Sequence, residues 1–126
     1  LLDDAEILPA VDQIEIHPGF PQFDTIKYCK ENDILVEAWS PLGCGRVLSD
    51  ERLIKIAEKY SKSVAQLCIR WALQHDVLPL PKSTHKDRII SNTQVFDFVI
   101  NDEDMKTIDE LPQFGYSTFN PDTVTF

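Results

Sequence analysis

The stretch LPLPKSTHKDRIISN, positions 78 to 92, gathers Lys82, His85, Lys86 and Arg88 just after a proline-bounded apolar run. The run reads as a short strand, and the residues after it read as the N-terminus of a helix. Cations at that end of a helix oppose its dipole and weaken it slightly. An arrangement that costs local stability is explained most simply by an anionic ligand. The rest of the chain makes the cluster stand out: 12 Lys and Arg against 21 Asp and Glu give a net charge of −9. That balance argues against a nucleic-acid or membrane-surface partner, so the anion site is a local exception.

Other residues with chemical potential are weaker candidates. Glu15 and Glu37 invite comparison with a paired acid and base, but inward polar residues of a barrel are commonly structural, and that reading is preferred. Cys44 lies in a glycine-flanked loop with no histidine beside it in the sequence, which suits a free surface thiol better than a nucleophile. Cys29, Cys44 and Cys68 are odd in number and widely spaced, as are His17, His75 and His85. These spacings match neither a disulfide framework nor a metal site, and a cytoplasmic, reducing setting is expected. No stretch approaches ~18 consecutive apolar residues, so no membrane span is expected.

The elements that must position these residues are set by periodicity. Residues 10 to 17, AVDQIEIH, alternate as a strand does, with Val11, Gln13, Glu15 and His17 on one face. A helix is expected after Pro21, with Tyr28 as a packing residue. ILVEAWSPLG is a second strand, with Ile34, Val36 and Ala38 on one face and Leu35, Glu37 and Trp39 on the other. GCGRVLSD reads as a loop. Two helices come next, over residues 50 to 60 and over SVAQLCIRWALQH. The second has Val64, Leu67, Cys68 and Trp71 as its apolar stripe, and Ser63 and Gln66 at capping-box spacing. After the strand VLPLPKS, Thr84 and Asp87 suggest a cap for the next helix, and Asn101 opens a last one with three acids in its first turn. The 126 residues form one modest unit. The start, LLDDAEILPA, reads as the tail of a helix, and the sole methionine is Met105, so the chain reads as a piece of a longer protein.

Strands alternating with helices imply parallel pairing through right-handed crossovers, an α/β fold. Each of the first two strands has a clean aliphatic face opposite polar Gln13, Glu15 or Glu37. That one-sidedness fits a barrel with helices outside and polar residues pointing inward. In such barrels the site lies at the C-terminal ends of the strands, here at Gln13 to Pro18, Trp39 to Gly45 and Lys82 to Arg88. An amide, an indole, a hydroxyl and a basic cluster suit a nucleotide.

The blocks VDQIEIHP, ENDILVEAWSPLGCG, SVAQLCIRWALQ, LPKSTHKDRIISNTQVFDF and INDEDMKTIDEL, in this order, resemble the C-terminal part of the aldo-keto reductases, including diketogluconate and aldehyde reductases. The resemblance implies a (β/α)8 TIM barrel, of which residues 1–126 would supply the last three parallel strands with their outer helices. It implies a parent that reduces aldehyde or ketone carbonyls with NADPH, NADH being possible. Gln13 matches the glutamine that bonds the nicotinamide carboxamide, and Trp39 the aromatic on which the ring stacks. Ser40, Pro41 and Leu42 match the segment that follows the pyrophosphate. Lys82 and Ser83 match the pair at the 2′-phosphate, Arg88 the arginine over the adenosine end, and Asn92 the asparagine that reaches adenine.

Two positions depart from the family. Asp12 stands where Asn is frequent, and Ser91 where many members have Glu beside the adenine. The tyrosine, lysine, aspartate and histidine of the family's chemistry lie in its N-terminal half, so no catalytic residue is assigned here and the chain alone is expected to be inactive. The tail FGYSTFNPDTVTF is expected to border a substrate pocket. The partners implied are a small carbonyl substrate and the N-terminal half of the barrel. A second reading is a non-enzymatic truncated barrel or a regulatory NADPH-binding module, whose open edges would make it self-associate.

Overall fold

Strand and helix alternate along the chain, and each crossover returns the backbone to lie parallel to the strand before it. The structure, a computed structural model, describes residues 5–116. Of the helix tail expected at the start, residues 1–4 lie outside them and Ala5 and Glu6 are not helical; of the C-terminal tail expected from Phe114, residues 117–126 lie outside them. The elements are β1 (Val11–Glu15), α1 (Phe23–Glu31), β2 (Leu35–Trp39), a kinked 3₁₀ segment (Gly43–Ser49), α2 (Glu51–Lys59), α3 (Val64–Gln74), β3 (Leu78–Pro79), α4 (Lys86–Thr93) and α5 (Asp102–Asp109). The sheet has the order β1-β2-β3, all parallel. The register places Val11 beside Leu35, Gln13 beside Glu37 and Glu15 beside Trp39, with Leu78 on the other side of Glu37.

Period-two alternation decides which face is covered. Val36 and Ala38 of β2, with Ile34 and Ile16 at the strand ends, are buried under the helices together with Cys29, Leu53, Ile56, Leu67, Cys68 and Trp71. The opposite face keeps Val11, Leu35, Trp39 and Leu78 each more than two-fifths exposed. Asp12 belongs to the helix side, where its Oδ2 accepts from Cys29 Sγ at 3.6 Å. Tyr28, expected to pack, is half exposed instead; Ile26 and Cys29 supply the contact of α1 with the core.

The segment read as a loop, Gly43–Ser49, winds into 3₁₀ turns broken at Cys44 and Gly45, whose φ angles are 52° and 90°. The Ser63–Gln66 capping box forms in both directions. Gln66 does more than cap: its Oε1 accepts from Ser63 N, and its Nε2 donates to the Ser91 and Gln94 carbonyls. Arg70 and Gln74, one and two turns on, bond Val95 and Ile100 in the same way. One polar stripe of α3 therefore fixes α4 and the chain after it. The cap expected from Thr84 and Asp87 does not form: His85 is the N-cap residue with no side-chain bond, and its backbone N–H is taken by Ser83 Oγ at 3.1 Å.

Asn101 caps α5 by accepting from Asp104 N at 2.8 Å. Asp104, only 3% exposed, accepts from Lys59, from Tyr60 at 2.7 Å and from Asn101 at 3.2 Å. Burial raises its pKa, but these donors outweigh burial and hold it below the ordinary value of 3.8. A depressed carboxylate contributes stability that is fully present above the unfolded value and fades as pH falls through the folded one. Asp104→Asn is therefore expected to lower the urea midpoint at pH 7. The gap from wild type should shrink below about pH 4, as linkage requires, in denaturation curves taken at stepped pH.

Candidate functional site

β2 and β3 end side by side, and the segments that leave them diverge around one groove of about 870 Å³. Trp39, Ser40, Pro41, Leu42, Cys44, Gly45 and Leu48 line it from β2 onward, and Leu80, Lys82, Ser83, Thr84, His85, Arg88, Ser91 and Asn92 from β3 and α4. Ser63, Val64 and Ala65, at the start of α3, close its floor. Eight of the nine residues named from the sequence thus meet in one place. The ninth, Gln13, lies on the exposed sheet face, where its Nε2 donates to Glu37 Oε2 at 2.8 Å.

Of the basic cluster, Lys82, His85 and Arg88 face the groove, whereas Lys86 does not line it. Among the described residues, Lys82, His85, Lys86 and Arg88 take part in no ion pair. Arg46, Lys55 and Arg70 share that lack among the described residues, so the cluster is set apart by its grouping at one groove. Cations left without a carboxylate, next to Ser83 and at the start of a helix, form a donor set with capacity for a phosphate.

Trp39 is 41% exposed and presents its indole as one wall. Ser40 takes a left-handed conformation, φ 49°, and its Oγ accepts from Cys44 N at 2.8 Å, with Cys44 Sγ at 3.2 Å. The Cys44 thiol is exposed. Cys29 and Cys68 are buried; burial, with Asp12 beside it, pushes the Cys29 thiol up, and burial pushes Cys68 up to about 12.

The two carboxylates of the sheet face are engaged separately. Glu37 accepts from Gln13, while Glu15 Oε1 lies 3.4 Å from Nε2 of the fully buried His17. His17 Nδ1 is 2.8 Å from the Pro18 carbonyl, which can only accept, so Nδ1 carries the proton. Burial lowers the His17 pKa below 6.5, against the pull of Pro18 and Glu15. Its Nε2 makes no hydrogen bond among the described residues. The periodicity of β1 put His17 on the face of Glu15, and it lies beside Glu15; the turn at Pro18 also buries it, beneath Gly43 and Gly115.

Leu48, Leu80 and the residues at the start of α3 were not anticipated. The apolar stripe of α3 gave a signal for a buried face, but nothing local marks Val64 and Ala65 as groove residues. Among the described residues, no cluster of three or more His, Cys, Asp or Glu has metal-binding geometry, and no helix is long and apolar enough to cross a membrane.

Parallel strands with outer helices and a groove at their C-terminal ends describe part of a (β/α)8 barrel, and the chain belongs to the aldo/keto reductase family, whose model matches residues 1–113. It is 49% identical over 126 residues to glyoxal reductase of Bacillus subtilis (strain 168), an alignment covering all of this chain and 46% of that protein. Over 114 residues it is 45% identical to 9,11-endoperoxide prostaglandin H2 reductase of Trypanosoma cruzi (strain CL Brener), covering 88% of this chain and 40% of the relative. The crystal structure of Gox0644 in its apo form superposes with a TM-score of 0.89 at 42% identity, covering 99% of this chain and 46% of that one. A mutant of Gox0644 in complex with NADPH gives the same values. The chain therefore spans less than half the length of these relatives, and its fold is that of part of their barrel.

Proposed function

We propose that residues 1–126 are the C-terminal, cofactor-gripping part of an NADPH-dependent reductase of aldehyde or ketone carbonyls. The observation that carries this reading is the convergence of Trp39 to Leu42 and of Lys82 to Asn92 on one groove, where Lys82 and Arg88 have no carboxylate partner among the described residues. Lys82, Ser83 and Arg88 would hold the 2′-phosphate. Arginine suits this because its planar fork can bond phosphate and stack on a purine, while lysine adds a compact charge. Asn92 would reach the adenine, Ser40 to Leu42 the middle of the dinucleotide, and Trp39 would support the nicotinamide ring. Gln13 gives its Nε2 to Glu37, so its Oε1 remains to accept from a carboxamide.

When bound, NADPH supplies a hydride for the carbonyl. The residues of this chain bind and orient, which is where such sites gain most of their rate. The proton donor is assigned to the rest of the barrel, and the substrate class proposed is a small aldehyde or ketone.

Titrating the protein with NADPH and with NADH, followed by quenching of tryptophan fluorescence in wild type and in Trp39→Phe, tests the reading. NADPH is expected to bind at least about tenfold more tightly, the minimum for a phosphate held by charged donors. Equal affinity for the two would remove the clamp, and no binding of either would remove the dinucleotide site.

A further inference from the structure

We propose that the chain after α5 shapes the groove from behind, with Phe114 and Gly115 acting as positioning residues for the turn at residues 40–49. The inference rests on the reading of the groove as a dinucleotide site. The turn has two faces. Trp39, Ser40, Leu42, Cys44 and Leu48 line the groove, while Gly43 and Val47 are buried on the other side. That other side is where the chain after α5 crosses.

The crossing is a contact of backbone on backbone. A Cβ on Gly43 would fall 2.8 Å from the Gly115 carbonyl oxygen, and one on Gly115 would fall 3.0 Å from Val47 Cγ1. Phe114 anchors the crossing: its N–H donates to the Gly19 carbonyl at 2.9 Å. Its ring lies so close over Gly19 that a Cβ there would sit 2.2 Å from Cε1. The Arg52 guanidinium lies 4.9 Å from the ring centroid, and the next ring, Tyr116, sits 5.4 Å from Phe20.

The turn needs such an anchor. Ser40 and Cys44 hold left-handed backbone, φ 49° and 52°, without glycine's freedom. Non-glycine residues keep such conformations only where their surroundings impose them. Inside the turn, Cys44 N donates to Ser40 Oγ, and Gly43 N and Gly45 N donate to the Ser40 and Leu42 carbonyls. These bonds span three or four residues each and tie the turn only to itself. Val47 and Leu42 tie it to the core on the side of α2 and α3, and Val47 seated against Gly115 adds the tie to the chain after α5. Freeing Phe114 therefore lets the turn relax toward ordinary backbone and spoils the wall that Trp39 to Leu42 present. By reciprocity, a dinucleotide that fixes the groove face also fixes residues 114–116.

The test uses the intact protein and iodoacetamide, with alkylation of Cys44 and Cys68 quantified by mass spectrometry. Cys44 reports the turn, and Cys68 reports global opening. Without cofactor, Phe114→Ala is expected to speed alkylation of the exposed Cys44 roughly fivefold by releasing its thiol from Ser40 Oγ, 3.2 Å away, about the effect of one lost hydrogen bond, with Cys68 unchanged. Gly19→Ala, which drives a Cβ into the Phe114 ring, should act in the same direction; if it fails to fold, Phe114→Ala still decides. In wild type, NADPH should slow Cys44 alkylation and protect the amides of residues 114–116 from exchange. Phe114→Ala should raise the NADPH Kd by a similar factor. An unchanged Cys44 rate, or a rise shared with Cys68, overturns the positioning role. If NADPH leaves Cys44 alkylation of wild type unaltered, the dinucleotide reading fails, while the cofactor-free comparison still decides whether Phe114 positions the turn.

Discussion

Replacing Lys82 and Arg88 together by alanine is expected to weaken NADPH binding about 100-fold, while NADH binding changes only a few-fold. A hydrogen bond to a charged group contributes about 1.5–3 kcal/mol. Two such groups at exposed positions, partly screened by water, together come to about 2.7 kcal/mol, or a factor of about 100. The contrast between cofactors is the informative part, because the 2′-phosphate is the group that NADH lacks. Lys86→Ala serves as the control. It removes one positive charge from the same helix turn as Arg88 but lies outside the groove lining, so its effect should be small and should fade with added salt. Titrations of both cofactors at two ionic strengths give all of these values. A uniform loss for NADPH and NADH would mean that the pair supports the fold of the groove and does not hold a phosphate.

The largest expected loss of stability is at Trp71. Its indole is fully buried, packs at 4.9 Å edge-on to His75, and donates from Nε1 to Asp109 Oδ1 at 2.7 Å. Trp71→Ala would remove the largest side chain of the core and leave a cavity between α3 and α5, costing about 3–5 kcal/mol. A domain of ordinary stability has only about 5–15 kcal/mol in total. Trp71→Phe keeps most of the apolar volume and loses the N–H, so about 1–2 kcal/mol is expected. Asp109 then retains His75 Nε2 at 2.9 Å, which limits the cost of the lost donor. Urea midpoints of the two variants separate packing from hydrogen bonding; a Phe variant as damaged as the Ala variant would place the main contribution in the Asp109 bond.

Features set by local rules were legible in the sequence. Alternation over VDQIE and LVEAW gave two strands and their covered faces, and Ser63 with Gln66, and Asn101, gave two helix starts. The resemblance to reductases named the nine candidate binding residues, and geometry brings eight of them to one groove. The features that escaped depend on contacts distant in sequence or on unusual backbone. The 3₁₀ turns at Gly43–Ser49 depend on left-handed φ at Cys44, a residue type that gives no such signal. Thr84 and Asp87 have cap spacing, yet Ser83 supplies its hydroxyl to His85 N first. Gln66 was legible as a cap but not as the anchor of α4, because Ser91 and Gln94 lie about 25 residues away. His17 keeps the side of Glu15 that alternation assigned to it, but the strand itself ends at Glu15, two residues before the period runs out, and nothing local signalled that His17 would be fully buried.

The lengths of the two strand seams also set an order of assembly. β1 and β2 zip through five residue pairs, whereas β2 and β3 share two. Closing the longer connection to β3, about 40 residues against about 24, costs only about 0.5 kcal/mol more in chain entropy. The number of rungs therefore decides, and the β3 seam is the last to zip and the first to part. Lys82 and Ser83 hang from that seam, Arg88 rides on α4, which Gln66 also holds, and Trp39 hangs from the firmer seam. Under heat or protease, Lys82 and Ser83 should come loose before the indole platform is lost.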